Sequence, residues 1–254
     1  MATQQIIVIK VGTDVLKNIF AFSVIARQIA QLKRKGFGVV LVSSGGVNAG
    51  SDRIIFLGGN PEDYPKRIRA SIGARHLLNT WGEAFAVCGL EVAQCYETYG
   101  NLRLRGEKES IRSALRQLAF DPIIVPLVNE NDIVSAVEIE KMKTGLGDND
   151  RLARITACLV RAYAIVFVTV KGGVYTANPD TNPSAQLIAR IDAKRTFRAG
   201  GKNAGTSQNG TGGMASKVNQ ASICARKGML AGIISFGAIL QFFEGKNVGT
   251  KVVV

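Results

Sequence analysis

The sequence predicts an α/β fold with a mainly parallel central sheet covered by helices on both faces. Three observations carry this expectation: short β-branched runs that read as buried strands, apolar residues at helical spacing between them, and glycines clustered after the apolar runs. A strand, helix, strand order of this kind closes as a right-handed crossover, which leaves consecutive strands parallel. With 254 residues and 46% hydrophobic content the chain can bury one substantial core. Folds of this class and length often stay undivided, so a single domain over residues 1–254 is expected.

The elements follow in order. Ile6-Ile7-Val8-Ile9 is a buried strand that stops at Lys10-Val11-Gly12-Thr13. Ile25, Ile29 and Leu32 recur at helical spacing, and Lys33, Arg34 and Lys35 suit the negative end of a helix dipole before Gly36 ends the helix. Val39 to Val42 forms the second strand, and Ser43-Ser44-Gly45-Gly46 leads into a helix starting near Val47. Further on, the pattern predicts helices around Ile68–Val87 and Ile111–Leu118, with strands at Glu91–Cys95 and Ile123–Val128. A helix from Asp150 to about Val160, a strand at Ile165–Val168, a helix from about Gly213 to Lys227 and a strand at Met229–Ile234 complete the alternation.

Lys+Arg 32 against Asp+Glu 19 gives a formal charge of +13, which suits an anionic partner without choosing among nucleotides, nucleic acids and anionic lipids. No basic run is interleaved with aromatics. Cys88, Cys95, Cys158 and Cys224 show no CxxC spacing and read as reduced core thiols. The first residues lack the long apolar stretch of a signal peptide or membrane span, so a cytoplasmic location is expected. His76 is the sole histidine, lies in a helical stretch and reads as structural; Trp81 reads as core. No nucleophile elbow, Walker A loop or dinucleotide fingerprint is present.

The unusual residues fall at the predicted carboxyl ends of strands, where ligands of open α/β sheets sit. Lys10 stands beside Gly12, whose backbone can approach an anion. Ser44 precedes two glycines and a helix start, where free N–H groups bind phosphate or carboxylate, or where serine simply caps the helix. Asn129-Glu130-Asn131-Asp132 ends a strand, and Gly147-Asp148-Asn149-Asp150 opens a helix whose dipole favours the acids. Carboxylates so placed can recognise an ammonium, bind magnesium through water or hold lysines; spacing alone leaves these open. Lys217 follows Thr211-Gly212-Gly213 in the first turns of a helix, where N–H groups, the dipole and an ammonium can converge on a polyphosphate.

Taken together, Ile9 to Thr13, Ser43 to Gly46, Val128 to Asp132, Gly147 to Asp150, Gly173-Val174-Tyr175-Thr176-Ala177-Asn178-Pro179 and Gly210 to Lys217 resemble the glutamate 5-kinase family of the amino acid kinase superfamily. The resemblance covers nearly the whole chain. It implies a three-layer αβα sandwich and transfer of the ATP γ-phosphoryl group to the side-chain carboxylate of L-glutamate, the first step of proline biosynthesis. By motif position it implies that Lys10 and Lys217 neutralise the moving phosphoryl group and that Asp150 orients both. Ser44, Asp132 and Asn149 would bind glutamate. Lys10, Thr169, Val170, Thr211, Gly212, Gly213, Met214, Ala215, Ser216 and Lys217 would line the nucleotide site.

The same resemblance implies ATP with Mg2+, no metal site built from protein ligands, feedback by proline and a homodimer or homotetramer. Neither a membrane nor a nucleic acid is expected as a partner. It also implies a short form without the C-terminal PUA domain of many relatives. Two positions depart from the family pattern: Val170 follows Thr169 where an aspartate is usual, and Asp14 stands where a small hydroxyl residue is typical. The chemistry suits the residues present, because a carboxylate is ionised at neutral pH and attacks phosphorus without a general base.

Overall fold

The computed structural model describes residues 5–134, 149–195 and 213–254. Its centre is an eight-stranded sheet in the order β3-β4-β2-β1-β5-β7-β8-β6. The strands are β1 (Ile6–Val11), β2 (Gly38–Ser43), β3 (Glu91–Glu97), β4 (Ile124–Glu130), β5 (Ala164–Val168), β6 (Arg190–Asp192), β7 (Leu230–Ile234) and β8 (Thr250–Val253). From β3 to β7 every pairing is parallel, while β8 runs antiparallel to β7 and parallel to β6.

Alternation along the central strands divides their side chains between two cores. Ile6, Val8, Val40, Val42, Ile165 and Phe167 face one cluster, which also holds Leu115, Leu152, Val218 and Ala221. Those four lie on helices α5 (Arg105–Phe120), α6 (Asn149–Val160) and α7 (Met214–Ala225). Ile7, Ile9, Val39, Leu41 and Val166 face the other cluster with Ile25, Trp81 and Ile239. These three come from α2 (Phe20–Arg34), α4 (Lys66–Ala86) and α8 (Ile239–Phe243). The result is the three-layer α/β arrangement that the sequence implies.

Two short helices complete the first half: α1 (Thr13–Leu16) and α3 (Gly46–Phe56). The turn before α3 runs through Gly45 at φ 106°, a left-handed conformation that glycine adopts without a Cβ penalty. Helix α3 then lies directly on α4, where a Cβ at Gly50 would strike the Arg69 carbonyl and one at Gly73 the Gly46 carbonyl. Glycine at both positions is what lets the two helix backbones touch, and this contact holds the Ser44–Gly46 turn in place.

Compared with the sequence expectation, β3 runs two residues further, to Glu97, and α5 begins earlier, at Arg105. Strands β6 and β8 and helix α8 were not anticipated. They are short, and β6 finds its partner β8 only at the far end of the chain.

Candidate active site

Lys10, Ser44, Glu130 and Glu97 all occupy the carboxyl ends of their strands on the face covered by α5, α6 and α7. The alternation sets this directly: Lys10 follows Val8, Ser44 follows Val42 and Glu130 follows Val128 by two residues, and all three predecessors lie in that face's core. Helix α6 presents Asn149 and Asp150 in its first turn, and α7 presents Lys217 in its own. Strand ends and helix starts therefore meet at one edge of the sheet.

The centre of this edge is Asp150, 0% exposed. Its Oδ1 lies 2.6 Å from Lys10 Nζ and its Oδ2 lies 3.1 Å from Lys217 Nζ. A fully buried carboxylate persists as an ion only when paired, and here it is paired on both oxygens. The α6 dipole adds a favourable field. Two ammonium groups and one carboxylate sum to one net positive charge, so this trio attracts an anion while Asp150 keeps the lysines from repelling each other.

Beside the trio, Asn149 Nδ2 donates to Ser44 Oγ at 3.1 Å. The Oδ1 of Asn149 is buried and accepts no hydrogen bond among the described residues. Ser44 is also fixed through its backbone, its N–H donating to the Val11 carbonyl at 3.1 Å. On the opposite face Trp81 Nε1 donates to Ser43 Oγ at 3.0 Å, and Asn129 Nδ2 donates to the Ser43 carbonyl at 2.8 Å. Trp81 is core, as the sequence indicates, and it braces the strand end that carries Ser44.

The phosphate-facing features are equally local. Gly213 caps α7 and brings no side chain to its first turn, so a 12-residue helix begins with its backbone N–H groups beside Lys217. Gly12 lies beside the trio, where an added Cβ would reach ordinary contact distance, 3.9 Å, from Lys10 Nζ. Met214, Ala215 and Ser216 form the first turn of α7, whereas Thr211 and Gly212 lie outside the described residues. Gly147 and Asp148 also lie outside them.

The remaining expected residues occupy varied positions. Thr169 is buried and its Oγ1 accepts from the Gly172 N–H at 3.1 Å, so its hydroxyl pins the turn after β5. Val170 next to it is 56% exposed at the same sheet edge. Asp132 follows β4 as an exposed residue whose carboxyl is nonetheless held above the usual carboxylate range by partial burial. Asp14 pairs with Lys17 at 2.8 Å in the turn after β1, which offsets the charge it adds.

Glu97 was missed by sequence reasoning. It is 1% exposed, lies in register beside Glu130, and neither of its carboxylate oxygens has a hydrogen-bond partner among the described residues. Burial pushes its carboxyl up to about 7. A glutamate at a strand end looks like a solvent-facing residue, and only the non-local register with β4 reveals two acids side by side.

Among the described residues no group of three or more His, Cys, Asp or Glu side chains gathers as a metal cage. No described helix is long and apolar enough to cross a membrane.

Similarity to known proteins agrees with this geometry. The family model described as amino acid kinase family matches residues 5–235. Glutamate 5-kinase from Yersinia enterocolitica is 33% identical over 264 residues, spanning 99% of this chain and 69% of that protein. Among solved structures, carbamate kinase from Giardia lamblia bound to AMP-PNP aligns with a TM-score of 0.66 at 14% identity, covering 100% of this chain and 99% of that one. UMP kinase from Bacillus anthracis aligns with a TM-score of 0.63 at 15% identity, covering 98% and 96%. The structural likenesses establish the shared fold, and the family match over nearly the whole sequence establishes descent: the chain belongs to the amino acid kinase family, and its chemistry is that of a kinase.

Proposed function

We propose that this kinase transfers the γ-phosphoryl group of ATP to the side-chain carboxylate of L-glutamate, giving glutamyl 5-phosphate and ADP at the head of proline biosynthesis. The observation that carries this reading is Asp150 holding Lys10 and Lys217 together, with the Asn149–Ser44 pair immediately beside them. The 33% identity to a glutamate 5-kinase supports the choice of acceptor.

In this reading Lys10, Lys217 and the first N–H groups of α7 hold the phosphates and neutralise charge on the transferring group, the main task in phosphoryl transfer. Asp150 is a positioning residue that fixes both lysines. Asn149 Oδ1 accepts from the glutamate ammonium, Ser44 donates toward a carboxylate, and Asp132 adds acidic recognition at the rim. Thr169, Val170 and residues 211–217 line the nucleotide side. No group of three or more His, Cys, Asp or Glu side chains among the described residues would hold magnesium, so the ion would come with the nucleotide and would supply charge screening for its phosphates. The glutamate oxygen attacks phosphorus in line and ADP leaves with the bond electrons, so no histidine is needed.

A cytoplasmic location, feedback by proline and a homodimer or homotetramer belong to the same reading. Ile55, Phe56 and Leu57 at the end of α3 are 59%, 76% and 68% exposed, a consecutive apolar surface of the kind that subunit contacts cover. The deciding experiment traps acyl phosphate with hydroxylamine in the presence of Mg2+ and ATP. Hydroxamate should form with L-glutamate and not with aspartate or N-acetylglutamate, and UMP should give no ADP. Turnover with another acceptor, and none with glutamate, would replace this assignment.

A further inference from the structure

Helices α6 and α7, which carry Asp150 and Lys217, lie against each other and are bridged by two polar contacts. The first is Lys217 Nζ to Asp150 Oδ2 at 3.1 Å. The second stands one turn further in, where Arg154 Nε donates to Gln220 Oε1 at 2.6 Å. Ala153, Ala157 and Ala221 are buried in the same core cluster, and such small side chains let two helices approach closely. Gln220 is 9% exposed and Arg154 is half-buried, so the second contact is largely shielded from water.

A neutral amide is an unexpected partner for an arginine at this position. Asp150 and Arg154 stand four residues apart, the spacing at which an aspartate and an arginine on one helix attract each other. Side chains of a helix also lean toward its N-terminus, which aims the Arg154 stem at the Asp150 turn. Yet the Asp150 carboxylate is taken by Lys10 and Lys217, and Arg154 makes no ion pair among the described residues. A guanidinium keeps its charge at any ordinary pH, so Arg154 is a permanent competitor for that carboxylate. Its planar fork matches both oxygens of a carboxylate at once, a geometry that a single ammonium does not offer. The group that holds it off is the Gln220 amide on the neighbouring helix.

We propose that Gln220 is a positioning residue of this kinase: by holding Arg154 it keeps Asp150 for Lys10 and Lys217, and so keeps both ammonium groups over the transferring phosphoryl group. Gln220 touches no reacting atom in this assignment and acts through Arg154 and then through Asp150. Removal of the amide acceptor releases the guanidinium, which turns along its own helix onto Asp150 and displaces Lys217, the more exposed of the two lysines. The effect falls on kcat more than on either KM, because the charge that Lys217 neutralises develops in the transition state. The effect on turnover with glutamate rests on the function proposed above, whereas the competition for Asp150 does not.

The test compares the parent protein with Gln220→Met, Arg154→Met and the double variant. Methionine keeps much of the length and packing of both side chains while removing the acceptor or the charge. Gln220→Met should lower kcat with ATP, Mg2+ and L-glutamate about tenfold or more, part of the ~10²–10³ that follows loss of a whole electrostatic element. Arg154→Met should stay near the parent rate, and the double variant should regain that rate because no competitor remains. A contact that serves only helix packing predicts a double variant no faster than Gln220→Met. That outcome, or a Gln220→Met protein at full rate, overturns the proposal. A crystal structure of Gln220→Met supplies a readout that involves no substrate: the Arg154 guanidinium should lie within hydrogen-bonding distance of an Asp150 oxygen. An arginine still turned away overturns the proposal whatever acceptor the kinase uses. If none of the proteins turns over glutamate while Arg154 sits on Asp150 in the variant, the acceptor assignment fails and the competition for Asp150 is upheld.

Discussion

Asp150 lies 2.6 Å from Lys10 through one carboxylate oxygen while its other oxygen holds Lys217, and it does so fully buried. Strand β1 and helix α7 come from opposite ends of the sequence, and one acid in the first turn of α6 brings their cations together. Asp150→Asn removes the charge and keeps the shape, leaving two ammonium groups that repel across the site. Loss of one such electrostatic element costs about 10²–10³ in kcat, and breaking a buried ion pair costs about 3–5 kcal/mol of stability. Steady-state kinetics and urea unfolding of the same variant measure both. A variant that retains full kcat would remove Asp150 from the mechanism.

Asn149 separates binding from chemistry. Its Nδ2 bonds Ser44 while its Oδ1 is left without a donor among the described residues, so the substrate ammonium has an acceptor to reach. Asn149→Ala should raise the KM for glutamate by tenfold or more, since one hydrogen bond to a charged group contributes about 1.5–3 kcal/mol. The KM for ATP should move little. Equal changes in both constants would point to a collapsed site rather than a lost contact.

The alternation of strands and helices was legible because it depends on local periodicity, as in Ile6 to Ile9 and Ile165 to Val168. Lys10, Ser44, Asn149, Asp150 and Lys217 were legible for a related reason, since each stands where a strand ends or a helix begins. What escaped reading depends on pairing between distant segments. Strand β8 exists because Val252 finds Ala231 on one side and Ile191 on the other, and nothing in its four residues announces that. Glu97 is hidden by its register with Glu130, and the Arg154–Gln220 hydrogen bond by the juxtaposition of two helices.

Glu97 should give the protein a pH-dependent stability. Its folded pKa is raised from 4.5 to about 7 by burial, so the native state binds a proton that the unfolded chain releases sooner. The sign follows: stability is fully present below about pH 4.5 and declines as pH rises through about 7. At 1.36 kcal/mol per pKa unit the loss is about 3 kcal/mol. Glu97→Gln carries no such proton, so it should unfold at higher denaturant concentration than the parent protein at pH 8 and lack this decline. Parallel pH profiles for the two proteins would contradict the assignment.

Gly73 tests the platform beneath Ser44. An added Cβ there would meet the Gly46 carbonyl, which is backbone and cannot rotate away, in a helix interior where alanine otherwise has the better propensity by about 1 kcal/mol. The two effects oppose each other, and the clash should win because overpacking against fixed atoms costs about 1–3 kcal/mol or more. Gly73→Ala should therefore lower the melting temperature. It should also raise the KM for glutamate, because Gly46 lies two residues from Ser44 and moves with α3. Alanine at a half-buried helical glycine such as Gly82, where nothing lies within 4 Å of an added Cβ, is the control and should be neutral or stabilising. A stabilised Gly73→Ala protein would mean that α3 and α4 do not make backbone contact in solution.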